Sequence, residues 1–454
     1  MRKIIQYMMM ALIAVVLASC ANDISEESTP TVKSNIRFVV DDFPMFEKPS
    51  TRTIGEEDKG KTAWAVGDEI CVKLESKELG TQTATLKYNG VKFELQDGNS
   101  LGYLEDEPVT AYAYYAPNRR WRNGSLDFKD IYGNPNGTAE FLEATCTVHY
   151  GDNNYVDISF ANATRNYSRL RIATIPKTEI KVDADNFAPT DNPNLLYMTY
   201  TLTSDEKGNA YLYGTFDNNS IVTVKYRGAS LATHKFSKKT ENAKSYALDA
   251  TVISANSAEE IYSAIKQEIA DGKTAIRLNL ASDAGDNEFN AIREAFENVR
   301  GYGTIDLTLI GCKEIPVNGL YRIMALKSIT LPDVTKIRMD ALSSCLYLQE
   351  ICAPNVSAID EYAFGKCRYL RKVTLGKLTD VRGEANSRSG IFDDINDLYP
   401  DIDLYLPKNQ EVMEFDENSK QYIWKPTGEN YFAIPDSDNG IFLGYQFKSV
   451  KSWE

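Results

Sequence analysis

Between residues 304 and 381 one pattern returns every 22 residues. Leu326, Leu348 and Leu370 fall in register, as do Ile329, Ile351 and Val373, and Leu331, Ala353 and Leu375. Val334, Val356 and Leu378 agree too, with Ile337, Ile359 and Val381, Ala341-Leu342 with Ala363-Phe364, and Cys345 with Cys367. An earlier copy fits through Leu307, Leu309, Cys312, Ile315 and Leu320. So many positions sharing one spacing mark a stack of small units, none able to bury its apolar side chains alone. Each unit supplies a short Ile-x-Leu strand, turns, and returns through a less regular segment. Leu278 and Leu280 stand 29 residues before Leu307 and Leu309, which extends the array by a longer unit containing a helix.

This is the pattern of a leucine-rich repeat. Ala-Ile-Asp-Glu-Tyr-Ala-Phe-Gly-Lys-Cys (358–367) and Leu-Arg-Lys-Val-Thr-Leu (370–375) resemble the BspA-like subclass, which is common on bacterial cell surfaces. A solenoid needs covered ends. At the front, Ser257-Ala-Glu-Glu260 is a capping box, with Ile261, Ile265 and Ile269 along one helix face. Phe289, Ile292, Phe296 and Val299 mark a second helix. Behind, Leu404-Tyr-Leu406 reads as a last strand after an insertion at 382–400, and the tail from 411 is expected to cover the open core.

From Ile36 to Ile253 the chain is a run of short alternating strands. Turn dipeptides at 89–90, 97–98, 123–124 and 208–209 predict hairpins. Two β-sandwiches divided near residue 153 are expected. Thr51-Arg52-Thr53, Trp64-Ala-Val-Gly67-Asp68-Glu-Ile70 and Ala111-Tyr-Ala-Tyr-Tyr-Ala-Pro117 are similar to the ordered landmarks of fimbrillin-like proteins of Bacteroidetes. Ile158-Ser-Phe160 to Leu170-Arg-Ile172 resembles the strand pair that opens their second sandwich. The resemblance implies Ig- or transthyretin-like sandwiches. It also implies assembly by strand donation, sometimes after cleavage at an arginine, a role for which Arg52 is the candidate; a plain surface turn at Arg52 is the simpler expectation.

The first residues have a different character. Arg2 and Lys3 precede an apolar stretch from Ile4 to Ala18, too short for a comfortable membrane span and shaped like a signal peptide. Its ending, Leu17-Ala18-Ser19-Cys20, resembles the bacterial lipobox, which implies cleavage before Cys20 and acylation of its sulfur. Several acyl chains on one cysteine hold a membrane well, since each buried methylene contributes about 0.8 kcal/mol. Asp23, Glu26 and Glu27 follow in a polar tether and resemble the surface-export signal of Bacteroidetes lipoproteins. The expected organisation is a signal peptide (1–19), tether (20–35), two sandwiches (36–153 and 154–253), repeats with a helical cap (254–410) and a C-terminal cap (411–454). The fold class is multi-domain and mainly β.

Charge and composition narrow the function. The formal charge is −14, and removing Arg2 and Lys3 with the signal takes it to −16. Such a balance disfavours nucleic acid and anionic membrane surfaces as partners. Only two histidines occur, His149 and His234, and no nucleophile-elbow, metal or phosphate-loop motif accompanies them. No catalytic residue, metal or cofactor is therefore expected. Besides Cys20 there are six cysteines without a C-x-x-C pair. Cys312, Cys345 and Cys367 occupy inward repeat positions and read as small core residues, though the one-repeat spacing of the last two also permits a bridge. Cys352 should point outward as a free thiol.

Binding is better supplied. The residue between the two inward strand positions of each repeat should face the concave surface, giving a ladder of Asn279, Thr308, Thr330, Cys352, Thr374 and Tyr405. Threonine at such positions also simply suits a strand. Tyr112, Tyr114 and Tyr115 with Trp121 offer a sugar platform, but alternation puts Tyr115 on the opposite face and favours sandwich packing. The expectation is a non-enzymatic surface lipoprotein of the adhesin class, held in the outer membrane by Cys20, whose partners are host or bacterial surface proteins, matrix or glycans. The alternatives are an accessory or tip subunit of a fimbria and a surface glycan-binding protein.

Overall fold

Alternation of apolar and polar residues makes strands with one wet and one dry face. In Glu179–Asp185 the side chains of Ile180, Val182 and Ala184 are buried, while Glu179 and Lys181 stand in solvent. The structure, a computed structural model, describes residues 32–33, 36–47, 59–96, 101–104, 107–129, 136–150, 154–161, 165–190, 192, 194, 197–299, 301–383, 390–392, 401–411, 413–424, 437–438 and 440–453.

The first sandwich is one seven-stranded sheet folded over on itself. Its order is Arg37–Val40, Tyr155–Ser159, Leu142–His149, Thr110–Tyr115, Glu69–Ser76, Gly80–Tyr88 and Phe93–Leu95. The outermost strands, Arg37–Val40 and Phe93–Leu95, come back into contact around a common core. Trp64 plugs that core, its ring 4.8 Å from both Phe43 and Phe93 and 5.3 Å from Tyr115, while its Nε1 donates to Asp41 O at 2.8 Å. The turn behind it closes through Asp68, whose carboxylate accepts from Ala65 N at 2.7 Å and pairs with Lys61. Gly67, at φ +94°, takes a conformation other residues rarely adopt.

The division expected at 153 is corrected. Tyr155–Ser159 pairs antiparallel with Leu142–His149, from His149↔Tyr155 to Thr145↔Ser159, and parallel with Arg37–Val40. Val156 and Ile158 thus point into the first core. The second sandwich starts with Ser168–Ala173, so Ile158 and Leu170 belong to different sandwiches.

That second unit has two four-stranded sheets. One is ordered Phe187–Pro189, Asn209–Phe216, Ser168–Ala173, Ser245–Asp249; the other Tyr197–Thr203, Glu179–Asp185, Ile221–Tyr226, Ala229–Lys235. The two sandwiches are locked at a buried charge. Arg165, 1% exposed, pairs with Glu140 of the first unit, donates to Pro44 O at 3.2 Å, and lies 3.9 Å from the centre of the Phe46 ring. Burial pushes the Glu140 carboxyl up while the Arg165 charge and hydrogen bond pull it down; desolvation is the larger effect.

The back half is a solenoid. Its main sheet holds nine strands in the order Ile253–Ser254, Ala275–Asn279, Ile305–Ile310, Leu326–Thr330, Glu350–Ala353, Lys372–Leu375, Asp403–Pro407, Ser449–Trp453 and Ser437–Asp438. Every pair is parallel but the last. Opposite it, Glu314–Ile315, Lys336–Ile337, Ala358–Ile359 and Asp380–Arg382 form a second parallel ladder, closed by the hairpin Met413–Asp416 and Gln421–Trp424. Between them lies one continuous core in which Leu326, Leu348 and Leu370, and Ile329, Ile351 and Val373, are wholly buried. Helices Ala258–Ala270 and Asp286–Phe296 cover its front, the first capped by the Ser257 side chain accepting from Glu260 N. No helix among the described residues is long and apolar enough to cross a membrane.

Candidate binding face

In a parallel ladder the residues that point away from the core stack in rows with rungs about 4.8 Å apart. The register makes one row of Thr308, Thr330, Cys352, Thr374 and Tyr405, each paired with the next, and adds Lys451 at the far end. These five expected rungs are brought together. Asn279 is not among them. It pairs with Ile310, and the residue beside Thr308 is Arg277. The spacing from Leu278 to its true partner Leu309 is 31 residues, so the 29-residue alignment slipped by one pleat pair. An α-helix between two strands absorbs two residues without disturbing either apolar pattern, and periodicity alone cannot see the slip.

A second outward row runs Asp306, Ser328, Glu350, Lys372, Asp403 and Ser449. It is self-satisfied: Ser328 Oγ donates to Asp306 at 2.6 Å, Lys372 pairs with Glu350 at 2.6 Å, and Ser449 Oγ donates to Asp403 at 2.6 Å. The face is therefore mostly polar, with short side chains at Thr330, Cys352 and Thr374 and longer ones toward Tyr405 and Lys451.

Its front end is covered by the molecule itself. Arg277 Nε donates to Leu231 O of the edge strand Ala229–Lys235 at 2.7 Å, and Ile310 joins the core of the second sandwich. Thr308 is buried there. One corner further on, the buried Asp333 carboxylate pairs with Arg227 and accepts from Gly311 N at 2.9 Å, while Asn355 Nδ2 donates to Pro332 O at 2.7 Å and Arg227 O at 3.2 Å. Thr330, Cys352, Thr374 and Tyr405 keep partial exposure. The open part of the face begins at Thr330; Arg277 was missed through the slipped alignment, and Lys451 because its strand shares no repeat spacing with the array.

The described cysteines are held as protonated thiols by burial. All six described cysteines are free. Cys345 and Cys367 instead donate to Leu320 O at 3.1 Å and Leu342 O at 3.2 Å, so the permitted bridge is not formed. Burial pushes Cys345 up to about 12 and the outward Cys352 up to about 11, leaving both protonated. His149 is stacked on Tyr155 and bonded to Asp157 at 2.9 Å. His234 packs edge-on to Phe236. Among the described residues no three His, Cys, Asp or Glu side chains cluster as metal ligands do. The tyrosines of Thr110–Tyr115 form no platform: Tyr115 is in the core, Tyr112 lies under Lys73, and Tyr114 meets Trp121 at 79°. Cys20 and Arg52 lie outside the described residues.

Residues 290–391 match, in six copies, the BspA type leucine rich repeat region, as the repeat phrases led one to expect. The chain is also similar to solved structures at low identity. One is the fimbrial anchor protein Mfa2 from Porphyromonas gingivalis, 11% identical, covering 43% of this chain and 80% of that one with a TM-score of 0.22. Another is a candidate cell adhesion protein from Bacteroides fragilis, 12% identical over 48% of this chain and 92% of that one, TM-score 0.22. A third is a shaft pilin of Lactobacillus rhamnosus, 12% identical over 48% and 95%, TM-score 0.18. The chain matches no curated protein sequence.

Proposed function

We propose that this chain is a non-enzymatic, surface-exposed lipoprotein of the adhesin class, held in the outer membrane by acylated Cys20 and binding macromolecules through its repeat domain. The observation that carries the reading is the repeat array, a continuous polar face displayed at the far end of the chain from a lipobox-like anchor. Such a face binds by extent rather than by a deep pocket. Its partners are surface proteins, matrix or glycans, and no cofactor is required. The histidines are engaged in packing and the thiols are protonated, which supports the non-enzymatic part. Removing residues 254–454 should leave surface display intact and abolish attachment to cells or matrix; attachment that persists in the truncated strain would sink the reading.

One observation favours a fimbrial subunit as the second reading. Arg37–Val40 is the first strand of the sheet and sits at its edge, held there through four residues of parallel pairing, the position a donated strand would take. Mass spectrometry of the cell-derived protein decides: a mature N-terminus at Thr53 supports strand exchange, an acylated Cys20 the leading proposal.

A further inference from the structure

On another side of the solenoid, at the turns that enter the main strands, three tyrosines form an exposed stack. Tyr302 and Tyr347 have ring centres 4.9 Å apart and planes within 6°; Tyr347 and Tyr369 are 5.3 Å apart and within 12°. Tyr302 is 65% and Tyr369 50% exposed. The spacing of Tyr347 and Tyr369 is that of the repeat, but Tyr302 arrives differently. The intervening unit carries Ala325 at the equivalent position, and the chain before Ile305 lies across it, with Gly303 N donating to Met324 O and Thr304 N to Ala325 O. Gly303, at φ +60°, approaches Tyr347 so closely that a Cβ would stand 3.0 Å from it. Three repeats thus contribute to a ridge about 10 Å long.

The turns that carry the ridge also hold cations. Arg368 precedes Tyr369, and Arg322, at the position that Lys366 takes two repeats later, lies in the corresponding turn; both are exposed, and no ion pair of either is formed among the described residues. Lys327 and Arg371 reach only distant carboxylates, at 3.8 and 4.0 Å. On a chain of formal charge −14, this local excess runs against the background.

We infer that Tyr302, Tyr347 and Tyr369, with Arg322 and Arg368, bind a linear acidic glycan lying along the ridge. The terminal rings Tyr302 and Tyr369 are half or more exposed, and the phenolic hydroxyls recur along the stack, a combination of aromatic surface and polar tips suited to a ligand that is apolar on its ring faces and polar at its rim. Guanidinium groups match carboxylate and sulfate in charge and geometry. The inference rests on the surface-binding reading above and names its ligand class.

Native electrophoresis of the full mature chain through gels containing chondroitin sulfate tests it, with hydroxyethyl cellulose as the neutral counterpart. Chondroitin sulfate should retard the chain, and Tyr302→Ala/Tyr347→Ala/Tyr369→Ala should weaken the apparent affinity about tenfold or more. The matching Phe triple, which keeps the stack, and Arg322→Gln/Arg368→Gln should each weaken it less. No retardation by chondroitin sulfate, equal retardation of the well-folded Ala triple, or equal retardation by hydroxyethyl cellulose overturns the inference. Attachment that still maps to residues 254–454 in that event leaves the adhesin reading standing.

Discussion

Arg165 and Glu140 show how much one buried pair governs the front half. Two charges removed from water gain little net stability, but taking away one partner strands the other. Arg165→Met should therefore cost about 3–5 kcal/mol in chemical denaturation of the full chain. Adding Glu140→Gln should recover part of that loss. Equal stability of the two variants would assign Arg165 to packing against Phe46 alone. Neither residue was legible as a lock, because their 25-residue separation carries no pattern. The same blindness explains Tyr302, which enters its stack through a glycine-assisted excursion and not through the 22-residue period. Cys345 and Cys367, by contrast, were readable as core residues since each shares a position with its counterpart one repeat away.

At the scale of elements, the repeat strands were legible because inward positions recur in register, and the match over 290–391 agrees with them. The ends were not, since a closing strand has no repeat to agree with. The strand Ser449–Trp453 docks beside Asp403–Pro407, and Asp403 holds it by accepting from Ser449 Oγ at 2.6 Å and Lys448 Nζ at 3.3 Å. The Ser449 hydroxyl, then Lys448, hold the Asp403 carboxyl below its ordinary value of 3.8. A depressed acid stabilises the fold fully above its unfolded value and loses that contribution as pH falls through the folded one. Hydrogen exchange in this strand should thus accelerate below about pH 4. Asp403→Asn should raise exchange at neutral pH and flatten the acid response; an unchanged acid response in the variant would locate the sensitivity elsewhere.

For the whole molecule, the second sandwich does not merely precede the repeats but leans on them. The edge strand Ala229–Lys235 is shielded by the face beside it, which also protects that edge from pairing with other chains. Asp333 holds the corner from a buried position, whereas Arg227 is half in solvent. Their loss should differ accordingly. Asp333→Ala leaves Gly311 N without its acceptor and should cost on the order of 2 kcal/mol, with faster proteolysis near 250–253. Arg227→Ala takes the nearest countercharge from that buried carboxylate but leaves it Lys313 at 3.8 Å and the Gly311 N–H, and should cost less, about 1 kcal/mol. Identical proteolysis rates for both variants and the parent would mean that Ile310 and its apolar neighbours carry the junction alone.

The parallel main sheet is bounded by helices in front and by an antiparallel strand behind, while the units from Leu326 to Leu375 step by 22 residues in one register. A duplicated stretch of 22 residues between Leu326 and Leu375 would insert one rung, about 4.8 Å of new surface, and leave both boundaries intact. If the repeat face binds as proposed, unequal recombination within the gene would lengthen or shorten that face without a new fold.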